Sequence, residues 1–402
     1  MKMEKLPGNN IKVVIGSNFG DEGKGLMTDY FCHQSTSQGE SCIVVMSNGG
    51  AQRGHTVVDP SGARHVFKHF GSGTMAKADT YCIDDFILNP MTFRKEYDEI
   101  AAMHLTPKVY VHPNCRWSTP YDMIINQIVE ETREEKKHGS CGMGIWETIY
   151  RYQKKPCFFN LFEFSKLSFG SQVSYLKNIR DAYMVERLKE YGIKSVPDDW
   201  KDIVYSDALI ENFINDVKFM ASHVKMAGYL ILQSYKNVVF ENGQGLLLDQ
   251  HQTLYGDNTT PSNTGILNPL RIINHTFDKA NLEVCYVTRT YLTRHGAGRF
   301  EAECDKSSIN SNMVDETNST NQFQGHLRYG ELVVDDLVNR VQNDLKHLQS
   351  KLNWTALDWK ASFGVTHTNE KQFDYSKLQR DFVKNVYLSD RRDRDSVTIF
   401  KQ

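Results

Sequence analysis

A glycine-rich turn set directly between an apolar, β-branched run and a helical one constrains this chain more than any other feature. Residues 11–17 (IKVVIGS) read as a short strand, residues 25–34 (GLMTDYFCHQ) as a helix, and residues 41–48 (SCIVVMSN) as a second strand. Both strands are apolar at consecutive rather than alternate positions, the pattern of strands covered on two faces of a mostly parallel sheet. The βαβ unit therefore predicts an α/β fold with a mostly parallel central sheet flanked by helices. Strand-like runs recur at 108–112, 237–241 and 284–291, each beside a helical segment.

The turn itself reads Gly16-Ser17-Asn18-Phe19-Gly20-Asp21-Glu22-Gly23-Lys24-Gly25. Glycines there let backbone N–H groups approach phosphate oxygens, and the N-terminus of the following helix adds favourable partial charge. Lys24 supplies a point charge for a terminal phosphate. The arrangement is P-loop-like without being a standard P-loop, which would need glycine at Asn18 and Ser or Thr at Gly25. Asp21 and Glu22 make it more specific, because a carboxylate beside phosphates is costly unless it binds a metal ion or moves a proton. A second loop, Asn48-Gly49-Gly50-Ala51-Gln52-Arg53-Gly54-His55-Thr56, follows the second strand. Adjacent strand ends of a doubly wound sheet converge on one crevice, so Asp21 and His55 are expected to face one ligand.

Composition excludes several classes. The 402 residues suffice for one large α/β unit with insertions or two modest domains. Their 49 acidic and 47 basic side chains nearly cancel, to a net −2, which excludes a nucleic-acid-coating role. No run approaches the roughly 18 uncharged apolar residues of a membrane helix, so no membrane partner is expected. The first ten residues lack the apolar stretch of a secretory signal, and eight cysteines contain no C-x-x-C pair. A reduced, cytoplasmic protein is expected.

Residues 119–232 read as a mostly helical insertion. Met123, Ile124, Ile128 and Val129 make an apolar stripe on one helix over 119–137, and Leu209, Phe213, Val217 and Met220 make another over 207–228. A helix over about 331–352 precedes strands near 361–366 and 386–389, a small C-terminal α/β portion. The polar stretch 305–324 is expected to be a mobile loop, either a linker or an active-site lid.

Taken in order, these motifs closely resemble the adenylosuccinate synthetase family. Its signatures are GDEGKG (here residues 20–25) and GG-x-x-x-GHT (here 49–56). Phe240-Glu241-Asn242-Gly243-Gln244-Gly245, with Leu247, Leu248 and Asp249, resembles its FEGAQG-x-LLD segment. Tyr255 and Thr260-Pro261-Ser262-Asn263-Thr264 resemble its Y…TSSNT segment, 138–145 its IGTTGRGIG turn, and 290–298 its STR-x-GAG stretch. The likeness runs over about residues 11–390 and implies a single synthetase-like domain, 1–402, with a mobile substrate loop at 305–330.

The resemblance implies a ligase that joins the amine of L-aspartate to C6 of a purine nucleoside monophosphate, with IMP as the default. The reaction passes through a 6-phosphoryl intermediate driven by a nucleoside triphosphate. Asp21 is implied as the base at purine N1 and His55 as a general acid toward the β-phosphate, with Lys24 as the third catalytic group. Mg²⁺ is implied between Asp21 and the Gly54 carbonyl, which suits a phosphoryl transfer that depends on positioning and fixed charge. Gly20, Glu22, Gly23, Lys24, Gly25, Gly54, His55, Thr56 and Asn369 would meet the triphosphate. Asn18, Asp21, Gln52, Ser140, Cys141, Gln244 and Thr260 would meet the monophosphate. Arg151 would reach the partner's monophosphate in a homodimer, and Arg328, Gln324 and Gly325 would meet aspartate.

Departures from the family pattern leave the substrates open. Where the family has TKLD for guanine, this chain has Thr366-His367-Thr368-Asn369. A carboxylate accepts from both guanine N1–H and the 2-amino group; Asn369 offers one acceptor and pairs with adenine's edge, so ATP or dATP is expected to compete with or replace GTP. The family's arginine-rich aspartate loop, TTGRRRRTG, has become residues 321–330, in which Arg328 alone clearly survives. Gln52, Cys141 and Met143 stand where the family has asparagine, threonine and arginine. The alternative is therefore the phage-type 2-amino-deoxyadenylosuccinate synthetase, with dGMP and ATP or dATP as substrates; retention of Asp21 pulls back toward a hypoxanthine substrate. A catalytically degenerate nucleotide binder is the third reading, against which Asp21, Lys24 and His55 all survive.

Overall fold

The computed structural model describes residues 8–133, 139–154, 159–256, 258–313, 326–353 and 359–401. Ten strands make the central sheet: β1 (Asn9–Gly16), β2 (Cys42–Met46), β3 (Asp79–Cys82), β4 (Val109–Val111), β5 (Lys225–Met226), β6 (Asn237–Glu241), β7 (Ala280–Arg289), β8 (Lys360–Thr366), β9 (Val383–Leu388) and β10 (Thr398–Ile399). Their order is β5-β4-β3-β2-β6-β1-β7-β8-β9-β10. Every pairing is parallel except β9 with β10. β1 lies centrally, Ile11 pairing with Val238 on one side and Leu282 on the other. β2 and β6 are buried along their whole length, as their unbroken apolar runs require.

Helices cover both faces. α1 (Lys24–Thr36) lays Met27 and Phe31 into one core with Val14 and Val44. The helices Leu267–Thr276 and Val334–Lys351 cover the other face, packing Ile272, Ile273, Leu337 and Val341 against Val13 and Val238. Because β6 is threaded between β1 and β2, the loops leaving β1, β2, β6, β7 and β8 open on one edge of the sheet, where such folds bind ligands. β3 and the helix Pro90–Ala102 carry weaker sequence patterns and were not foreseen.

Between Pro120 and His223 every regular element among the described residues is helical. The first of these helices, Pro120–Thr132, starts with a reciprocal cap between Thr119 and Asp122. The charged end foreseen for this helix, 134–137, lies outside the described residues. The expected helix over 207–228 stops at His223, and β5 follows. In the 305–330 stretch, Lys306–Asn310 is helical and Arg328–Gly330 pairs with Leu292–Arg294 and Glu303–Cys304. Residues 314–325, including Gln324 and Gly325, lie outside the described residues. The described cysteines are free thiols, and no helix among the described residues is long and apolar enough to cross a membrane.

Arg151 is held within its own chain. It sits on the helix Ile145–Lys154 at 1% exposure, its Nε donating to Asp122 Oδ1 (2.8 Å) and its Nη2 to Asp122 Oδ2 (2.9 Å) and the Trp117 carbonyl (2.9 Å). The guanidinium is thus forked onto a buried carboxylate of its own chain. Its role is to fasten two helices of the insertion. Arg151→Met strands Asp122 in the interior and is expected to cost about 3–5 kcal/mol. Urea unfolding reads that loss directly, and an unchanged midpoint would contradict the assignment.

Candidate active site

A cavity of about 1490 Å³ opens at the C-terminal edge of the sheet. The turn after β1 contributes Gly20 through Gly25; the loop after β2 contributes Gln52, Arg53, Gly54, His55 and Thr56; and Ser140, Cys141, Gln244, Thr260 and Asn369 complete the shared wall. Among the described residues, three expected site residues do not line it: Asn18, Arg151 and Arg328.

The turn is held by its conformation and by two buried charges. Gly20 (φ 96°), Asp21 (φ 56°) and Gly23 (φ 87°) all take left-handed backbone, which explains two of the glycines and marks Asp21 as held against its preference. A Cβ on Gly16 would lie 2.4 Å from Glu22 Oε2 and 3.1 Å from Lys24 Nζ, so both side chains fold back over the end of β1. Glu22 Oε1 accepts from the Asn18 N–H (2.7 Å), while its Oε2 is buried without a hydrogen-bond partner among the described residues. Burial pushes the Glu22 carboxyl up to about 7, outweighing the opposite pull of Lys24; burial likewise lowers Lys24. Gly23 caps α1 without any side-chain hydrogen bond, leaving the helix N-terminus facing the cavity.

Asn18 serves beneath the turn instead of on the wall. Its amide donates to Thr288 Oγ1 (3.0 Å) and accepts from Arg340, and its carbonyl accepts from the Leu247 N–H (2.9 Å). Asp21 is about one third exposed, with Oδ2 3.3 Å from His295 Nε2, and its backbone carbonyl accepts from Arg289 Nε.

His55 is oriented by Glu241, the last residue of β6. His55 Nδ1 lies 2.7 Å from Glu241 Oε1, which can only accept, and beside Arg53 Nη2, which can only donate, so the two contacts ask opposite roles of that nitrogen; Nε2 makes neither contact. Arg53 Nη2 lies 3.0 Å from Glu241 Oε2 and 2.7 Å from the same His55 nitrogen. Burial and then Arg53 pull the His55 pKa down to about 4 against the pull of Glu241. Burial would raise Glu241, but His55 and Arg53 outweigh it and hold that carboxyl at about 2.

Gln52 and Gln244 both reach toward Gly49. A Cβ on Gly49 would be 3.0 Å from Gln52 Nε2 and 3.6 Å from Gln244 Oε1. Gln52 Nε2 and Oε1 and Gln244 Oε1 are buried without partners among the described residues. Buried amides are normally satisfied, so this pair is set for a ligand carrying both donors and acceptors.

Arg328 is spent elsewhere. It forks onto Glu303 (Nε to Oε1, 2.8 Å) and donates through Nη1 to the Gly298 carbonyl (2.8 Å), clamping the loop that follows Leu292–Arg294. The cations on that side of the cavity are Arg289 and Arg294. Sequence reasoning missed both of them, together with Arg53, Glu241 and His295. Glu241 carried a readable signal, an acid ending a wholly apolar strand, and Arg294 stands inside the stretch resembling STR-x-GAG.

Comparison with known proteins agrees with this architecture. The profile of the family described as adenylosuccinate synthetase matches residues 13–358. An adenylosuccinate synthetase of Microcystis aeruginosa is 28% identical over 302 residues, covering 73% of this chain and 62% of that protein. One from Mesoplasma florum is 29% identical over 307 residues, covering 73% and 65%. The aligned part thus spans less than two thirds of either relative. The structure of a fully ligated adenylosuccinate synthetase from Plasmodium falciparum superposes with a TM-score of 0.68 at 16% identity, covering 98% of this chain and 100% of that one. The cyanophage S-2L succinoaminodeoxyadenylate synthetase (PurZ), bound to dGMP and to dATP as an energy donor, superposes at 0.60 and 13% identity, covering 98% and 95%. At such identities the structures speak for the fold; the profile match over most of the length is what shows that the chain belongs to the adenylosuccinate synthetase family.

Proposed function

We propose that this protein joins the amine of L-aspartate to C6 of a purine nucleoside monophosphate, IMP by default, at the expense of a nucleoside triphosphate. The observation that carries this reading is the Gln52 amide and the Gln244 Oε1, buried without partners among the described residues, in one cavity with Asp21, Lys24 and His55. The amides suit the polar edge of a purine nucleotide. Asp21 takes the N1 proton, the electron pair moves to O6, and O6 attacks the γ-phosphorus, releasing the nucleoside diphosphate. The amine of aspartate then adds to C6, loses a proton and expels inorganic phosphate.

The unsatisfied N-terminus of α1 and Lys24 hold the phosphates, and His55 directs Nε2 at the leaving side. Mg²⁺ fits the donors present. Asp21 and the Gly54 carbonyl are hard oxygen ligands on one wall, and no cluster of three or more His, Cys, Asp or Glu side chains that would make an all-protein cage occurs among the described residues. When bound, the ion neutralises charge on the phosphates. A homodimer belongs to this proposal, without Arg151 as its inter-chain cation.

One observation favours a second reading. Asn369 lines the cavity where a guanine-binding aspartate is the family's habit, so an adenine nucleotide is the expected phosphate donor, as in a dGMP-specific synthetase.

Phosphate release with Mg²⁺ and aspartate, crossing IMP, GMP and dGMP with GTP, ATP and dATP, separates the readings. IMP with ATP is the expected productive pair; turnover confined to dGMP installs the second reading, and silence throughout leaves a nucleotide binder. In the productive pair, Asp21→Asn is expected to lower kcat roughly 10²–10⁴-fold, the usual worth of a positioned base. Triphosphate binding should also take up protons near pH 7.5. Glu22, at about 7, is then mostly ionised and His55, at about 4, is neutral, and an anion raises both. Calorimetry in buffers of different ionisation enthalpy measures that uptake; Glu22→Gln should reduce it, and proton release would refute the assignment.

A further inference from the structure

His295 fills the variable position of the stretch resembling STR-x-GAG and lines the cavity. Among the described residues it is the one side chain that pairs with the Asp21 carboxylate, its Nε2 lying 3.3 Å from Oδ2. The two loops that bring them together are fixed to one another. Phe19, two residues before Asp21, packs edge-on against Tyr255 and Phe300, with ring centres 5.3 Å and 5.2 Å apart. The guanidinium of Arg294, the residue before His295, lies 4.7 Å from the centre of the Phe19 ring. Arg294 also donates to the carbonyls of Arg299 and Asn258, and Arg328 donates to those of Gly296 (3.3 Å) and Gly298 (2.8 Å). The turn after His295 is thus clamped by two arginines. On the facing side Asp21 is held in left-handed backbone (φ 56°), its carbonyl accepting from Arg289 Nε. The spacing of ring and carboxylate therefore belongs to the folded loops and not to two loose surface side chains.

We propose that His295 is a positioning residue that makes the monophosphate site selective for a purine without a 2-amino group: Nε2–H donates to Asp21 Oδ2 and leaves Oδ1 as the single acceptor for the base. That a purine meets Asp21 at all rests on the function proposed above. An uncommitted carboxylate accepts two donors side by side, which is what guanine offers in N1–H and its 2-amino group; hypoxanthine offers N1–H alone. With Oδ2 taken, the 2-amino group of GMP or dGMP finds its acceptor occupied, whereas IMP loses nothing. A site whose polar groups match one base and not its neighbour discriminates through the bond that the wrong base cannot make. The neutral Nε2–H tautomer and the charged ring both donate, so the selection does not depend on the charge of His295.

The test is the choice between IMP and GMP, read first as binding to the full-length chain by calorimetry and then as kcat/KM with ATP, Mg²⁺ and aspartate. Wild type is expected to favour IMP by roughly tenfold or more, the worth of one hydrogen bond to a charged group. His295→Leu, which keeps the bulk and removes the donor, should shrink that preference by roughly tenfold; His295→Gln, which returns an N–H at similar reach, should restore it. General damage to the site weakens both nucleotides and leaves their ratio alone. An unchanged ratio in folded His295→Leu overturns the inference, as does a Gln variant that behaves like the Leu one, or a wild-type chain that prefers GMP. If the Leu variant does not fold, His295→Phe, equally without a donor, carries the same comparison. A ratio that shifts as expected in a chain inactive with every pair of nucleotides upholds the role of His295 and overturns the proposed function. Turnover of IMP with an unmoved ratio does the reverse, and binding of neither nucleotide overturns both.

Discussion

The fully buried carboxylate of Glu241 is the interaction on which the site depends. It ends β6, the strand inserted between β1 and β2, so it emerges between the two loops that carry Asp21 and His55. A carboxylate in such a place persists as an anion only where donors surround it. Among those donors are His55, which the proposed reaction has to orient, and Arg53 from the same loop. The cost of burying one charge thereby holds the histidine ring in place, two strands' width from the glycine-rich turn after β1.

The phosphate turn works on an opposite economy of charge. Glu22 and Lys24 are both buried beside the end of β1, yet burial moves each toward its neutral form, and Glu22 keeps one oxygen without a partner. The turn is therefore under-satisfied as it stands, whereas both oxygens of the Glu241 carboxylate have donors. An anionic ligand at the N-terminus of α1 relieves the first without disturbing the second. This division explains why left-handed backbone clusters at Gly20, Asp21 and Gly23: the turn is held in its shape before a ligand arrives.

Much of this was legible in the residues, and what was not has identifiable causes. Unbroken apolar runs located β1, β2 and β6, with β6 matching residue for residue, because burial on both faces leaves no room for ambiguity. The run 108–112 likewise announced β4, whereas β3 is four residues long with polar members, and its strand character comes from its place in the sheet. In the site, positions dictated by backbone geometry, such as Gly20, Gly23 and Gly25, were readable from spacing, since only glycine fits there. Positions defined by long-range pairing were not. Nothing local to Ser72 or Arg53 announces a carboxylate 169 or 188 residues away.

The arginines make the same point in reverse. Arg151 and Arg328 look, by spacing, like free cations waiting for a phosphate and a carboxylate, yet each is forked onto an acid of its own chain, Asp122 and Glu303. A guanidinium satisfied by a bidentate partner has little left to offer a ligand, since a rival anion must first displace a bonded one. Arg294, by contrast, spends its described bonds on the backbone carbonyls of Arg299 and Asn258. Arg289, which donates to the Asp21 carbonyl, lines the same cavity. In the proposed reaction a carboxylate-bearing second substrate would meet positive charge at Arg294, on the cavity wall that also carries Asp21, where the incoming amine would have to arrive.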